Sequence, residues 1–331
     1  MALTSYFTMM EVFSQYLPSY NPIIGGLTGS PRPPLHPPWE VFGSDKLTFV
    51  LLGYDEVDKW AHRSDTLMIG AVDFYAATVK VVALPRDTLV HIPRRGFQKV
   101  NSAYAYGGEN LVRQTMENFF GVPVDYVISV NYDGFREVVD ALGGVDIYVE
   151  RAMHYDDRRG NTHIHIEQGW NHFDGAEALN YARFRHDAKG DIGRIERQQN
   201  LMMELFQQRI KPGNIHNFKP AIDAFLKNIT ITVNEDSPRR VPEIGFEELM
   251  SLAGFLSIID KDDIAFYQIP TDDLYWNGLS CLVPLYNRTS EMLEEVFRND
   301  APIAWEMEDP GVAVISEETD VPVIDMTEDI Q

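Results

Sequence analysis

Continuous apolar runs mark the first half of the chain. LTFVLLG (47–53), TVKVVALP (78–85), DYVISVN (125–131) and VDIYVE (145–150) all have the length of a strand. A strand with one wet face alternates, so uninterrupted runs predict strands covered on both faces. Between and after them the period is helical. ENLVRQTMENFF (109–120) ends at Gly121, and DGFREVVDALGG (133–144) closes on a glycine pair in C-cap position. Further helices are predicted over GAEALNYAR (175–183), GRIERQQNLMMELFQQRI (193–210), stopped by Pro212, and FKPAIDAFLKNI (218–229). Along the long helix Ile192, Ile195, Met202 and Phe206 form the expected buried stripe. A late strand, DIAFYQIP (263–270), is predicted to return to the same sheet. Strands alternating with helices imply a layered α/β domain.

The flanks read differently. Residues 1–44 are rich in Pro, Gly and Ser, and SPRPPLHPPWEVFG (30–43) reads as an extended, polyproline-like linker. The segment YFTMMEVFSQYL could lie on a membrane or pack on the domain, but the plainer reading is a loosely packed tail. The folded domain is expected over 45–298. Residues 299–331 hold many acids and no Lys or Arg, which predicts a solvated, partly disordered tail. That tail supplies much of the formal charge of −22. The acidic balance argues against a nucleic-acid partner, since phosphate backbones need a basic footprint. Cys281 is the only cysteine, which excludes an internal disulfide framework and a cysteine-based zinc cluster. No apolar run approaches the roughly 20 residues that span a bilayer. The N-terminal stretch also lacks the basic residues and clean apolar core of a signal peptide.

Against this acidic background, RFRHDAKGDIGRIERQQ (183–199) gathers Arg183, Arg185, Arg194 and Arg197. Arginines repel one another, so the cluster needs an anion. If residues 183–185 are extended, Arg183 and Arg185 project to one face, as suits a bidentate grip on phosphate. The plain alternative is a pair of surface arginines bridging to the protein's own acids. Asp191, Arg194 and Gln198 fall at i, i+3 and i+7, a second stripe beside the apolar one. Arg194 is placed in the first helical turn, where the dipole disfavours a cation unless an anion docks there. Asp191 also reads as an N-cap.

Asp55 follows the first strand and Arg86-Asp87 the second, at carboxyl ends, where open α/β sheets bind ligands. Asp55 could be a simple turn residue, but HRSDT (62–66) adds Arg63 and Asp65 nearby. Two carboxylates with interleaved arginines could hold Mg²⁺ beside a phosphate. His163 and His165 share a face of a further strand, with His154, His172 and His186 close in sequence, but convincing zinc spacing is absent. NEDSPRRVPE (234–243) reads as a charged loop. The chain has no P-loop, no G-x-G-x-x-G and no G-x-S-x-G.

Four stretches together resemble the LytR-CpsA-Psr family. They are LLGYD…RSDTLMIGAVD (51–73), VVALPRDTLVHIP (81–93), KVNSAYAYGGENLVRQTMENFFGVPVDYVISVNYDGFREVVDALGGVDIYV (99–149) and HFDGAEALNYARFRHDAKGDIGRIERQQ (172–199). The resemblance implies a three-layer α/β/α sandwich around a mixed central sheet. It implies transfer of a glycopolymer, such as wall teichoic acid or capsular polysaccharide, from an undecaprenyl-pyrophosphate carrier to peptidoglycan. The new bond is a phosphodiester, and Mg²⁺ assists. Asp55 and Asp65 match the family's magnesium-binding carboxylates. Arg63, Arg86, Arg183, Arg185 and Arg194 match its pyrophosphate-binding arginines, with Lys99 a looser match. Gln198 matches a head-group contact and Asp191 the aspartate discussed as a base, so Asp191, Arg183 and Arg185 are the implied catalytic residues. The polyprenyl tail is expected in an apolar tunnel between sheet and helices.

The implied location is the extracellular face of the bacterial cytoplasmic membrane, against the outer-leaflet lipid surface, although the family's N-terminal membrane anchor is absent from this sequence. The loop GYDEVDKWAHRSD also departs from the family's usual G-x-D-S-R and lacks one arginine. Two alternatives use the same residues: a lipid-pyrophosphate hydrolase, and a non-catalytic module that binds lipid-linked glycans or regulates their transfer.

Overall fold

The computed structural model describes residues 37–54, 64–157, 162–187, 189–211 and 215–297. The chain enters on a short helix, Pro38–Val41 (α1). Strands Lys46–Tyr54 (β1), Ser64–Asp73 (β2), Thr78–Ala83 (β3), Leu89–Ile92 (β4) and Gly96–Lys99 (β5) precede helix Ser102–Phe120 (α2). Strand Tyr126–Asn131 (β6) runs directly into helix Tyr132–Leu142 (α3). Four short strands follow: Val145–Val149 (β7), Met153–Asp157 (β8), Thr162–Ile166 (β9) and Gly169–Phe173 (β10). Helices Gly175–Arg183 (α4), Gly190–Arg209 (α5) and Ile215–Asn228 (α6) come next. Strand Ile229–Val233 (β11), helix Phe246–Leu256 (α7), strands Ile264–Gln268 (β12), Thr271–Trp276 (β13) and Leu279–Pro284 (β14), and helix Tyr286–Phe297 (α8) complete the described chain.

The six-stranded sheet has the order β11-β6-β1-β2-β3-β12. β1 pairs parallel with β6 and antiparallel with β2, and β3 pairs parallel with β12. The sheet is therefore mixed, and β12 returns to it as expected. Both of its faces are apolar. Val50, Leu52, Leu67 and Ile69 pack on one side with Val112 and Met116 of α2 and Leu293 of α8. Leu47, Met68 and Val81 pack on the other with Ile195 of α5 and Phe255 of α7. This is the three-layer α/β/α sandwich that the resemblance implies. A third cluster joins Val145, Ile147 and Val149 of β7 to Phe173, Ala178 and Leu201, and so roots α4 and α5 beside the sheet.

Local chemistry sets the ends of the helices. Gly121 and Gly143 adopt the left-handed conformation that ends α2 and α3. Asp174 and Glu177 form a reciprocal capping box that starts α4 at the expected residue.

Several expectations change. VDIYVE does not join the central sheet. β7 pairs with β10, and its outward Tyr148 is 51% exposed because Asp146 and Tyr148 alternate with the buried valines and isoleucine. The linker expected through residue 43 gives way to α1. Phe42 is buried and stacks on Phe74 with ring centroids 5.8 Å apart. The expected stripe of α5 starts one turn late, since Ile192 is 48% exposed while Ile195 is buried. The charged loop at 234–243 is an anchor: Ser237 Oγ and Arg239 Nη1 donate to the fully buried Asp125 carboxylate. The remaining parts of the two tails lie outside the described residues. Among those described, no helix is long and apolar enough to cross a membrane.

One glycine in the sheet is needed for close packing. Gly70 of β2 faces Phe49 of β1, and a Cβ at Gly70 would come within 2.2 Å of the Phe49 ring. Gly70→Ala is therefore expected to destabilise the fold by about 1–3 kcal/mol, as overpacked sites do. A lowered urea midpoint with an unchanged slope would be the signature.

Candidate functional site

The site forms where β1, β3 and β6 end. Tyr54 pairs with Asn131 at one point and with Ser64 at another, so the start of β2 lies beside the carboxyl ends of β1 and β6. That places Asp65 at the end of the sheet where β1 and β6 finish. Arg86 reaches it from the turn after β3, and its Nη1 donates to Asp65 Oδ1. Arg194 arrives from α5. Its Nη2 donates to the Asp65 backbone carbonyl at 2.8 Å, and its Nη1 lies 3.6 Å from Asp65 Oδ1. Asp191, one turn earlier on α5, completes the group. Its Oδ1 is 2.9 Å from Arg194 Nη2 and 3.7 Å from Arg86 Nε.

Two expectations about α5 are corrected here. Asp191 is not the N-cap, because Lys189 holds that position without a side-chain cap bond and the helix begins at Gly190. Arg194 therefore sits beyond the first turn. What selects it is the pair of carboxylates rather than the helix dipole.

The electrostatics are uneven. Burial alone would raise the Asp65 carboxyl, but Arg194 and Arg86 outweigh it and hold the group below its ordinary value. Burial acts against the Arg86 charge, yet Asp65 and Asp191 raise that group above its usual range. Arg194 is only 2% exposed, and there burial is the larger effect and lowers the pKa. Both carboxylate oxygens of Asp191, Nε of Arg194 and Oε1 of Gln198 are buried without a hydrogen-bond partner among the described residues. The Asp191–Arg194 contact is thus an ion pair and not an aligned hydrogen bond. Lys99 stands one step away and donates to Asp87 Oδ1 at 2.9 Å, while Asp87 Oδ2 lies 3.7 Å from Arg86 Nε.

This cluster borders a cavity of about 530 Å³ between the sheet and helices α3 to α6. Asp65, Arg183, Arg185, Arg194 and Gln198 line its polar end. Its walls are apolar, among them Leu51, Met68, Phe135, Leu201 and Phe225. Arg183 is the last residue of α4, so the extended geometry expected over 183–185 starts only at Phe184, with φ −60° and ψ 133°. Phe184 is buried, and the arginines on either side of it both line the cavity. The Arg183 guanidinium lies 4.4 Å over the Tyr132 ring, a cation–π contact.

The structure brings Asp65, Arg86, Arg183, Arg185, Asp191, Arg194 and Gln198 to one place, with Lys99 attached through Asp87. Asp55 and Arg63 lie outside the described residues. Sequence reasoning passed over Tyr132, although it stands directly after β6, the same carboxyl-end position that singled out Asp55 and Arg86. It also left Arg197 without a role. On the β8–β9 hairpin, His163 Nδ1 and His165 Nε2 lie 2.6 and 3.1 Å from Asp156 Oδ1. Among the described residues no group of three His, Cys, Asp or Glu side chains is arranged to hold a metal ion.

The model of the LytR_cpsA_psr family matches residues 38–298. The chain belongs to the LytR-CpsA-Psr family. It is 34% identical over 199 residues to the polyisoprenyl-teichoic acid–peptidoglycan teichoic acid transferase TagU of Bacillus anthracis, a match covering 60% of this chain and 64% of that protein. The chain thus spans a little under two thirds of that relative's length. It is 36% identical over 167 residues, half of each chain, to the regulatory protein MsrR of Staphylococcus aureus. Among solved structures it is similar to B. subtilis TagV, with a TM-score of 0.66 and 26% identity, covering 77% of this chain and 96% of that one.

The Asp65 carboxyl gives a test of the cluster. Its folded pKa lies below the ordinary 3.8, so its pairing stabilises the protein above that value and the gain is lost as pH falls through the depressed folded value. Asp65→Asn should cost about 2 kcal/mol at pH 7, less than breaking a fully sealed pair because Asp65 is partly exposed. The gap between wild type and variant should close as denaturation is followed down through the acid range.

Proposed function

We propose that this LytR-CpsA-Psr protein transfers a glycan phosphate from a polyisoprenyl-diphosphate carrier to a hydroxyl of peptidoglycan. The observation that carries this reading is an apolar cavity whose lining includes Arg183, Arg185 and Arg194. A ligand that fits both ends has a hydrocarbon tail and a highly charged anionic head. The similarity to TagU, a polyisoprenyl-teichoic acid–peptidoglycan teichoic acid transferase, supports a polyisoprenyl-linked donor.

The transfer needs positioning and charge neutralisation more than covalent help from the protein. The tail lies along Leu51, Met68, Leu201 and Phe225. Arg86, Arg183, Arg185 and Arg194 bind the diphosphate, Gln198 contacts the head group, and Lys99 reinforces the Arg86 corner through Asp87. The acceptor oxygen attacks the sugar-proximal phosphorus, the bond from that phosphorus to the bridging oxygen breaks, and polyisoprenyl phosphate leaves. The arginines stabilise the charge that grows on the leaving phosphate. Asp191, held in place by its ion pair with Arg194, is the carboxylate placed beside the anion site to accept the acceptor's proton.

Mg²⁺ fits the donor chemistry, since Asp65 is a carboxylate held ionised beside the anion site. Asp65, together with Asp55, would hold the ion, and Arg63 would join the diphosphate contacts. When bound, the metal would add charge neutralisation at the diphosphate. The proposed setting is the outer face of the cytoplasmic membrane, where a lipid-linked donor and peptidoglycan meet.

The deciding experiment incubates the protein and Mg²⁺ with a polyisoprenyl-diphosphate-linked glycan, with and without a peptidoglycan acceptor. Acceptor-dependent appearance of glycan-modified peptidoglycan and polyisoprenyl phosphate is expected. Release of free glycan phosphate by water alone would mark a hydrolase, and binding without any product a non-catalytic module. Arg183→Ala or Arg185→Ala should lower turnover by about a hundredfold or more, as loss of one transition-state donor does.

A further inference from the structure

Arg183 ends α4 with its guanidinium over the Tyr132 ring, whereas Arg185, a like charge two residues on, stands in the segment after the helix. Their neighbour Arg197 is well placed to hold that segment. It stands on α5 one turn beyond Arg194, is 8% exposed, and does not line the cavity. Its guanidinium makes a fork. Nη1 donates to Asp187 Oδ2 and Nη2 donates to the backbone carbonyl of Phe184. Its centre also lies 5.3 Å over the Phe184 ring. Both acceptors belong to the segment between α4 and α5, and Phe184 is the residue between the two cavity arginines.

Asp187 is tied down in turn. Its Oδ1 accepts from the Lys189 backbone N–H at 3.0 Å. Burial would raise its carboxyl, but the Arg197 pairing and the backbone donors hold it below its ordinary value. Its seat depends on a glycine. A Cβ at Gly193 would lie 2.8 and 2.9 Å from the two Asp187 carboxylate oxygens, so a larger residue there forces the Asp187 carboxylate to shift.

We propose that Arg197, Asp187 and Gly193 form a clasp that fixes Phe184, and thereby holds Arg183 and Arg185 together at the cavity mouth as one diphosphate-gripping unit. All three are positioning residues. The clasp spares the substrate the cost of ordering the segment that carries Arg185 beside the helix-held Arg183. It also requires arginine: lysine keeps the charge but cannot offer two parallel donors to acceptors in fixed positions.

This inference rests on the proposed donor class, and the test separates the two. The full chain is titrated calorimetrically with geranylgeranyl diphosphate and, separately, with the uncharged alcohol geranylgeraniol, which reads the apolar cavity alone. Arg197→Lys should weaken the diphosphate about tenfold, the scale of a lost charge-assisted contact, and leave the alcohol unchanged. Gly193→Ala, which keeps Arg197 in place, should act in the same direction and serves if the lysine variant does not fold. In an Arg183→Ala, Arg185→Ala background either change should cost nothing further, because the clasp acts only through those two side chains. Full diphosphate affinity in both variants, equal loss of diphosphate and alcohol, or the same loss in the double-alanine background would each overturn the clasp. A wild-type chain that binds the alcohol but not the diphosphate would overturn the donor reading and the clasp with it.

Discussion

Arg194 is nearly sealed from water, and a lone guanidinium there would be untenable. Its position is tolerable only because Asp65 and Asp191 lie against it and the Asp65 carbonyl accepts from it. That requirement couples distant parts of the chain. The start of β2 must lie where β1 and β6 finish, the first turns of α5 must cross it, and the turn after β3 must bring Arg86 within reach of both carboxylates. The result is an ion cluster left incomplete on one side. Arg86 and Arg194 pair with Asp65 and Asp191, Arg86 also lies near Asp87, and Arg183 and Arg185 join Arg194 in the cavity lining. These cations border an apolar cavity, and in the proposed reading an anion with a hydrocarbon tail completes the cluster.

Helix α5 links the fold to this chemistry. Ile195 belongs to the core under the sheet and Leu201 to the cluster with β7 and α4. Gln199 donates to the Tyr267 carbonyl of β12, and Gln208 to the Asp146 carbonyl of β7. The remaining faces carry Asp191, Arg194 and Gln198 into the site and Arg197 toward the Phe184 loop. One helix thus satisfies two apolar clusters and two polar assemblies. Small shifts of α5 would move the floor of the cavity and the cations at its mouth together.

Much of this was legible in residues whose pattern has one physical solution. The apolar run of β1 fits only a strand covered on both faces, the glycines after α2 and α3 only helix ends, and Asp174–Glu177 only a helix start. β2 escaped because SDTLMIGAVD begins among polar residues that read as a loop and breaks its apolar run with Gly70, whose role is to admit the Phe49 ring. VDIYVE reads like a sheet strand, yet Asp146 and Tyr148 leave one face to solvent. The site arginines were legible because like charges demand a common anion. Their supports were not. The buried contacts of Arg197, the ring of Tyr132 under Arg183 and the seat that Gly193 leaves for Asp187 depend on how the segment between α4 and α5 folds back, and no local periodicity encodes that. Asp191 resembled a cap because capping and ion pairing use the same side chain at the same place in sequence.

The central claim is that a diphosphate fills the charge gap among these arginines while its hydrocarbon chain enters the cavity. A crystal structure with a polyisoprenyl diphosphate tests it most directly. The account predicts phosphate density within hydrogen-bond reach of Arg86, Arg183, Arg185 and Arg194, with the chain running between Leu201, Met68 and Phe225. A ligand bound elsewhere, with Arg86 and Arg194 still closed on Asp65 and Asp191 and the cavity bare, would contradict it.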